Sequence, residues 1–298
     1  MRLFMPGLCA AALDRQMRNL ALSIAAALIL TLGAAAAEQV EVPSGDVKLR
    51  AILYRPAGAG PFPAVVALHT CDGLDASLVT SSGGGEAPID QRYRAWAEHL
   101  TAAGFAVLFP DSFGSRGLSP QCHLRQLPVR ASRTRSNDAN AARHWLQAQP
   151  FVIADRVSLL GWSHGATTAL WAVRRRTGPA HDTTPDFRSA VALYPNCQRS
   201  GNSAWSARIP TLILIGRADD WTPAGACEQM VADARGRSAG ALIVVYPGAY
   251  HDFDRADLPL HERTGIRNAP NPAGRVHIGT DTAARTDAFK RVLEWFAR

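Results

Sequence analysis

Gly161-Trp162-Ser163-His164-Gly165 decides how this chain reads. A short apolar run, residues 157–160, leads into it, and residues 166–173 after it have helical character. The serine therefore stands at a turn between a strand and a helix. A G-x-S-x-G pentapeptide in that setting is a nucleophile elbow, a sharp turn that holds the serine hydroxyl clear of the backbone. Glycine at 161 and 165 lets strand and helix approach without colliding Cβ atoms. The backbone N–H of His164 falls at a helix N-terminus, where N–H donors and the helix dipole stabilise negative charge. The competing reading is a serine N-cap on an ordinary helix, and the rest of the chain must decide between them.

Outward from this turn, strands and helices alternate. Residues 38–42 and 47–54 alternate apolar and polar side chains around Pro43-Ser44-Gly45-Asp46, which predicts an N-terminal antiparallel hairpin. Residues 64–68 are a continuous apolar run, the pattern of a strand buried on both faces, and 105–109, 190–194, 211–215 and 241–246 read as further strands. Helical spacing marks 93–103, 133–149, 166–176, 228–235 and 282–298. Residues 74–90, with Ser81-Ser82-Gly83-Gly84-Gly85, read as a loop that either borders the site or runs over the surface, and 258–277 reads as irregular. The alternation predicts an α/β fold with a mostly parallel central sheet, helices on both faces and right-handed crossovers.

Of the 298 residues, 47% are apolar and 19% charged, which supplies a sizeable core and argues against disorder. Met17-Arg18-Asn19 opens a basic segment, residues 20–32 are apolar, and Ala35 and Ala37 form an A-x-A cleavage site. Residues 1–37 are thus expected to be a signal peptide cut before Glu38, with Met17 a second candidate start; a non-cleaved anchor is the alternative. The apolar run is short for a transmembrane helix. Residues 38–298 are expected to form one domain, exported to a periplasm or secreted and meeting the membrane only during export. Removing 1–37 takes away Arg2, Arg15, Arg18 and Asp14, a net +2 out of +7, and leaves +5. The arginines are scattered rather than striped, so no nucleic-acid partner is expected. Four cysteines remain, and an even number in an oxidising compartment predicts disulfides. Cys71–Cys122 and Cys197–Cys227 are the expected pairs, because each lies on loops following core strands at one edge of the sheet. Neither C-x-x-C nor His-x-x-x-His spacing points to a metal site, and no metal or cofactor is expected.

In a parallel sheet, functional groups gather at the carboxyl ends of the strands. Ser163, Asp219 and His251 each lie just past a strand end, in the chain order Ser, Asp, His. The chemistry needs each type: a serine hydroxyl is a poor nucleophile until a base takes its proton, His251 serves as that base, and Asp219 fixes its tautomer. Asp220 beside Asp219 is the competing carboxylate. The oxyanion donors are expected to be the N–H of His164 and one from the His69-Thr70-Cys71 turn, either Cys71 or Thr70. His69 is expected to shape that turn. Trp162, Trp221 and Tyr250 adjoin these residues and are candidate pocket walls. Arg116 and Arg217, in loops at the same edge, are candidate carboxylate binders or plain surface arginines.

These pieces together resemble the dienelactone hydrolase family of α/β-hydrolases. The matching stretches are Leu68-His69-Thr70-Cys71-Asp72-Gly73, Asp111-Ser112-Phe113-Gly114, the elbow itself, Asp219 with Trp221-Thr222-Pro223, and Tyr246-Pro247-Gly248-Ala249-Tyr250-His251-Asp252-Phe253-Asp254. The resemblance implies an α/β-hydrolase fold, a Ser163/Asp219/His251 triad and hydrolysis of a small ester or lactone through an acyl-enzyme. Characterised members carry Cys as nucleophile where this chain has Ser163. Thr70 stands where the family commonly has Gly, and Asp252 where a Gly often follows the histidine. An acyltransferase or peptidase on the same fold shares this chemistry. A catalytically silent binding relative is the alternative of another class, and a broken triad would be its mark.

Overall fold

The apolar runs become the middle of one sheet. The computed structural model describes residues 37–74, 89–175, 184–202 and 204–298. All of the expected signal peptide except Ala37, and most of the 74–90 loop, lie outside them. In chain order the elements are β1 (Ala37–Ser44), β2 (Val47–Tyr54), β3 (Phe62–Leu68), α1 (Gln91–Ala102), β4 (Ala106–Pro110), α2 (Thr134–Gln147), β5 (Val152–Trp162), α3 (His164–Ala172), β6 (Ala190–Leu193), α4 (Cys197–Gly201), β7 (Thr211–Gly216), α5 (Ala224–Asp233), β8 (Ala241–Tyr246), β9 (His261–Arg263), β10 (Val276–Ile278) and α6 (Thr282–Phe296).

Among the described residues, eight strands form one sheet in the order β1-β2-β4-β3-β5-β6-β7-β8. The hairpin β1/β2 is antiparallel and joins β4 antiparallel; from β4 to β8 every pairing is parallel. Every residue of β4, β6 and β7 is buried, as central strands with both faces covered require. Helices supply the cover. On one side α1 meets α6, with the rings of Trp96 and Phe289 stacked 3.8 Å apart. On the other, α2 packs on α3, and α4 on α5. Helix α6 is capped by Asp281, whose side chain accepts from the Ala284 N–H, and it buries Ala284, Ala288, Val292, Trp295 and Phe296.

Four elements differ from the sequence expectation. Strand β5 begins at Val152, which pairs with Phe62, and runs on through the polar Asp155-Arg156 that broke the apolar run. The short helix α4 carries too few residues to show a period. Strands β9 and β10 pair through Val276↔Arg263 to Ile278↔His261 inside a stretch with no apolar run to announce them.

The elbow depends on very close approach. A Cβ on Gly161 would lie 2.4 Å from the Gly165 carbonyl oxygen, and a Cβ on Gly165 would lie 2.0 Å from the Leu68 carbonyl oxygen. Both obstacles are backbone, so neither can swing aside. Gly165→Ala is therefore expected to cost about 1–3 kcal/mol or more, read in calorimetry as a Tm lowered by roughly 2–12 °C. Gly225→Ala, on α5 with open space around the added methyl, is expected to leave Tm unchanged or raise it. An unaltered Tm for Gly165→Ala would show that strand and helix are not so tightly joined.

Candidate active site

The carboxyl ends of β5, β7 and β8 open at one edge of the sheet, and three polar side chains meet there. Ser163 Oγ donates to His251 Nε2 at 3.0 Å, and His251 Nδ1 donates to Asp219 Oδ2 at 2.8 Å. All three residues are buried. Ser163 has φ 51°, ψ −113°, and its side chain makes no cap bond to α3, so the hydroxyl is turned to the histidine instead of serving as an ordinary N-cap. Asp219 is fixed by its own turn: Oδ1 accepts the N–H groups of Trp221 and Thr222 at 3.0 and 2.7 Å. The Thr222 hydroxyl lies 2.9 Å from Oδ2. Asp220 points elsewhere, accepting the backbone N–H and ring Nδ1–H of His277, both at 2.8 Å. Burial works against charge on His251, but the neighbouring Asp219 carboxylate outweighs it and holds the imidazole pKa above its ordinary 6.5.

The turn after β3 packs beside this group. The Thr70 N–H donates to Tyr93 Oη at 2.8 Å, so it is committed inward, and of the two candidates only Cys71 remains as the donor from this turn. Cys71, Ser163 and His164 share the wall of one cavity of about 460 Å3. His69 is a brace: its Nε2 accepts the Ser112 N–H at 3.2 Å and its Nδ1 donates to Thr70 O at 2.8 Å. Burial, helped by Arg135, pushes its pKa well below 6.5 and keeps it neutral. Arg135 is itself buried and donates to His69 O at 2.9 Å and to His164 Nδ1 at 3.0 Å. Burial brings its pKa down to about 10, still charged at neutral pH.

Residues 49–298 match the dienelactone hydrolase family. The chain belongs to that family. Its sheet is that of the α/β-hydrolases. A Mycobacterium tuberculosis protein named as a candidate phosphoribosyl transferase is 28% identical over 201 residues, 66% of this chain but 41% of that protein. This chain thus spans about two fifths of that relative's length. A Bradyrhizobium protein named as a probable 2-oxo-3-(5-oxofuran-2-ylidene)propanoate lactonase is 23% identical, over 73% of this chain and 84% of its own. The crystal structure of a candidate dienelactone hydrolase from Klebsiella pneumoniae superposes with a TM-score of 0.63 at 21% identity, covering 89% of this chain and 100% of the other. At that identity the likeness speaks for the fold.

Within this family member the remaining candidates separate. Trp221 lines the cavity. Trp162 does not: successive strand residues face opposite ways, and its indole N–H turns into the core to donate to Asp254. Tyr250 lies against His277, with ring centroids 5.5 Å apart, and is not part of the wall. Arg116 is no substrate ligand either, since its two terminal nitrogens are bidentate on Asp138 at 2.8 and 2.9 Å. Arg217 is likewise bidentate on Glu228. The wall instead includes Thr167, Trp171, Arg125, Arg130 and Asn268, none of which the sequence reading singled out. Ser163, Thr167 and Trp171 stand at i, i+4 and i+8, a spacing that puts them on one helix face and was available as a signal. Asp252, where the family often has Gly, has φ 62°, the left-handed backbone in which glycine is at ease.

The cysteines pair as Cys71–Cys122 and Cys197–Cys227. Cys71 and Asp72 lie close to Cys122, but with both sulfurs in a disulfide the group offers no thiolate to a metal. Titration of the denatured, unreduced protein is expected to find no reactive thiol among these four. Four free thiols would remove both bridges.

Proposed function

We propose that the protein is an exported serine hydrolase that cleaves a small carboxylic ester or lactone through an acyl-enzyme. The observation that carries this reading is the hydrogen-bonded line from Ser163 Oγ through His251 to Asp219. His251 Nε2 takes the hydroxyl proton as Ser163 Oγ attacks the carbonyl carbon. The oxyanion is received by the N–H groups of His164 and Cys71. As the intermediate collapses, the C–O bond to the leaving alcohol breaks and His251 returns the proton to that oxygen. Water, deprotonated by His251, then attacks the acyl-enzyme, and the acid leaves as Ser163 regains its proton. Throughout, Asp219 keeps the proton on His251 Nδ1 and stabilises the imidazolium. With a lactone, alcohol and acid remain in one molecule, tethered through the acyl-enzyme.

Membership of a hydrolase family and the name of the Bradyrhizobium lactonase support an ester or lactone substrate. A cavity of about 460 Å3 suits a small molecule. Two disulfides fit the oxidising compartment beyond a signal peptide at residues 1–37. No helix among the described residues is long and apolar enough to cross a membrane.

A fluorophosphonate probe is expected to label the wild type and not Ser163→Ala. An unlabelled wild type would favour a silent binding relative instead. Asp219→Asn is expected to lower kcat by about 10⁴-fold, and Asp220→Asn by less than about tenfold; the reverse order would exchange the two carboxylates. The base works only when neutral, so kcat/KM should fall as pH drops through the raised His251 pKa. The acid limb is thus expected above 6.5, and Asp219→Asn should move it to lower pH. A limb below 6.5 in the wild type would remove Asp219 from its place.

A further inference from the structure

Of the buried carboxylates that the chemistry above leaves unused, Asp254 bonds to the residue beside the nucleophile. Asp254 lies three residues past His251 and is 1% exposed. Its Oδ1 accepts the Tyr194 hydroxyl at 2.5 Å, and its Oδ2 accepts two indole N–H groups, Trp96 at 2.7 Å and Trp162 at 2.9 Å. A buried carboxylate with three such donors has one orientation available to it.

The donors come from different parts of the site. Trp162 is the residue before Ser163, at the end of β5. Tyr194 follows β6; its ring lies 4.5 Å from the His251 ring, and its carbonyl oxygen is 3.1 Å from the Thr222 hydroxyl that also meets Asp219. Burial, together with Asp254 and Asp252, pushes the Tyr194 pKa well above 10 although Arg92 opposes it, so the hydroxyl keeps the proton it donates. Arg92 then donates to Tyr194 Oη at 2.9 Å and to Asp252 Oδ1 at 2.7 Å, tying the residue after His251 into the same cluster. Trp96, on α1, is the one donor whose neighbours in the chain carry no part of the proposed chemistry, although its ring lies 5.8 Å from that of Trp162.

We propose that Asp254 is a positioning residue that sets the separation of Ser163 Oγ from His251 Nε2, a role that rests on reading those two as nucleophile and base. The carboxylate belongs to the histidine's loop and clamps the nucleophile's neighbour on one side and the tyrosine under the imidazole on the other. Misplacement by about 1 Å between reacting groups costs on the order of 10²-fold in rate.

Trp96→Phe and Trp162→Phe separate positioning from plain stability, because each removes one indole N–H from the same oxygen. Both variants are expected to lower Tm by similar amounts. Trp162→Phe should lower kcat by roughly tenfold or more with KM within about threefold, and slow fluorophosphonate labelling by the same factor. Trp96→Phe should stay within about threefold of wild type in both. Tyr194→Phe keeps the ring against His251 and removes only the hydroxyl, and it should follow Trp162→Phe; it carries the comparison if Trp162→Phe does not fold. Wild-type kcat in Trp162→Phe and Tyr194→Phe, or an equal loss in Trp96→Phe, would overturn the proposal. Its failure differs from failure of the Ser163 reading, in which the wild type itself is not labelled.

Discussion

The site depends on a serine held where a serine is not at ease. At φ 51° Ser163 occupies left-handed backbone, which costs on the order of 1–3 kcal/mol for a residue with a Cβ. The surroundings over-determine it. Its N–H donates to Leu193 O at 2.9 Å, continuing the β5/β6 ladder. Its carbonyl accepts the Thr167 N–H at 2.8 Å and lies 3.1 Å from the Thr167 hydroxyl, which starts the helix at once. With hydrogen atoms alone at Gly161 and Gly165, strand, helix and the end of β3 close on one another. The strain is therefore offset by pairing on both sides, and the hydroxyl is left facing the histidine.

Around that point the interior holds buried charges, and Asp252 and Arg92 answer one another. Burial alone would raise the Asp252 pKa, yet the Arg92 guanidinium 2.7 Å away and the nearby His251 bring it down to about 2. Burial equally disfavours charge on Arg92, and Asp252 together with Tyr194, Asp254 and Tyr93 outweighs it. Such a pair contributes little net stability, because desolvation of two ions nearly cancels their attraction. Its value is geometric: Asp252 must keep φ 62° directly after His251, and a buried ion pair holds a non-glycine residue there. Where the family often has a glycine that permits this backbone, this chain has an aspartate that is held in it.

How much of this was legible follows from what each residue reports locally. Ser163, Asp219 and His251 could be read together because apolar runs mark the strands, and strand ends mark one edge of the sheet. Asp219 and Asp220 could not be separated with equal clarity, since the distinction is made by His277, which lies in a stretch with no periodic pattern. Trp162 and Arg116 were misplaced for a common reason. Nearness in the chain does not give direction: Trp162 turns to the opposite face of β5, and Arg116 turns to Asp138 on α2. Arg125, Arg130 and Asn268 reach the cavity from irregular segments, whose path no hydrophobic period records.

The turn after β3 shows why Thr70 stands where glycine is common. A residue here could present its N–H to the cavity, but Thr70 gives its own to Tyr93, and its hydroxyl accepts the Asp72 N–H at 3.1 Å. The turn is thereby closed on itself, and Cys71 comes to the wall. Cys71 is then held from three directions: its disulfide to Cys122, its carbonyl accepting the Gln121 N–H at 2.7 Å, and the Arg135 hold on His69 O two residues before. The same guanidinium reaches His164 Nδ1, so one buried cation spans the two segments proposed to hold the oxyanion. Preorganised donors act most strongly when they need not move as charge develops. The proposed oxyanion donors are thus set by contacts outside the reacting atoms, as the proposed nucleophile and base are set by Asp254.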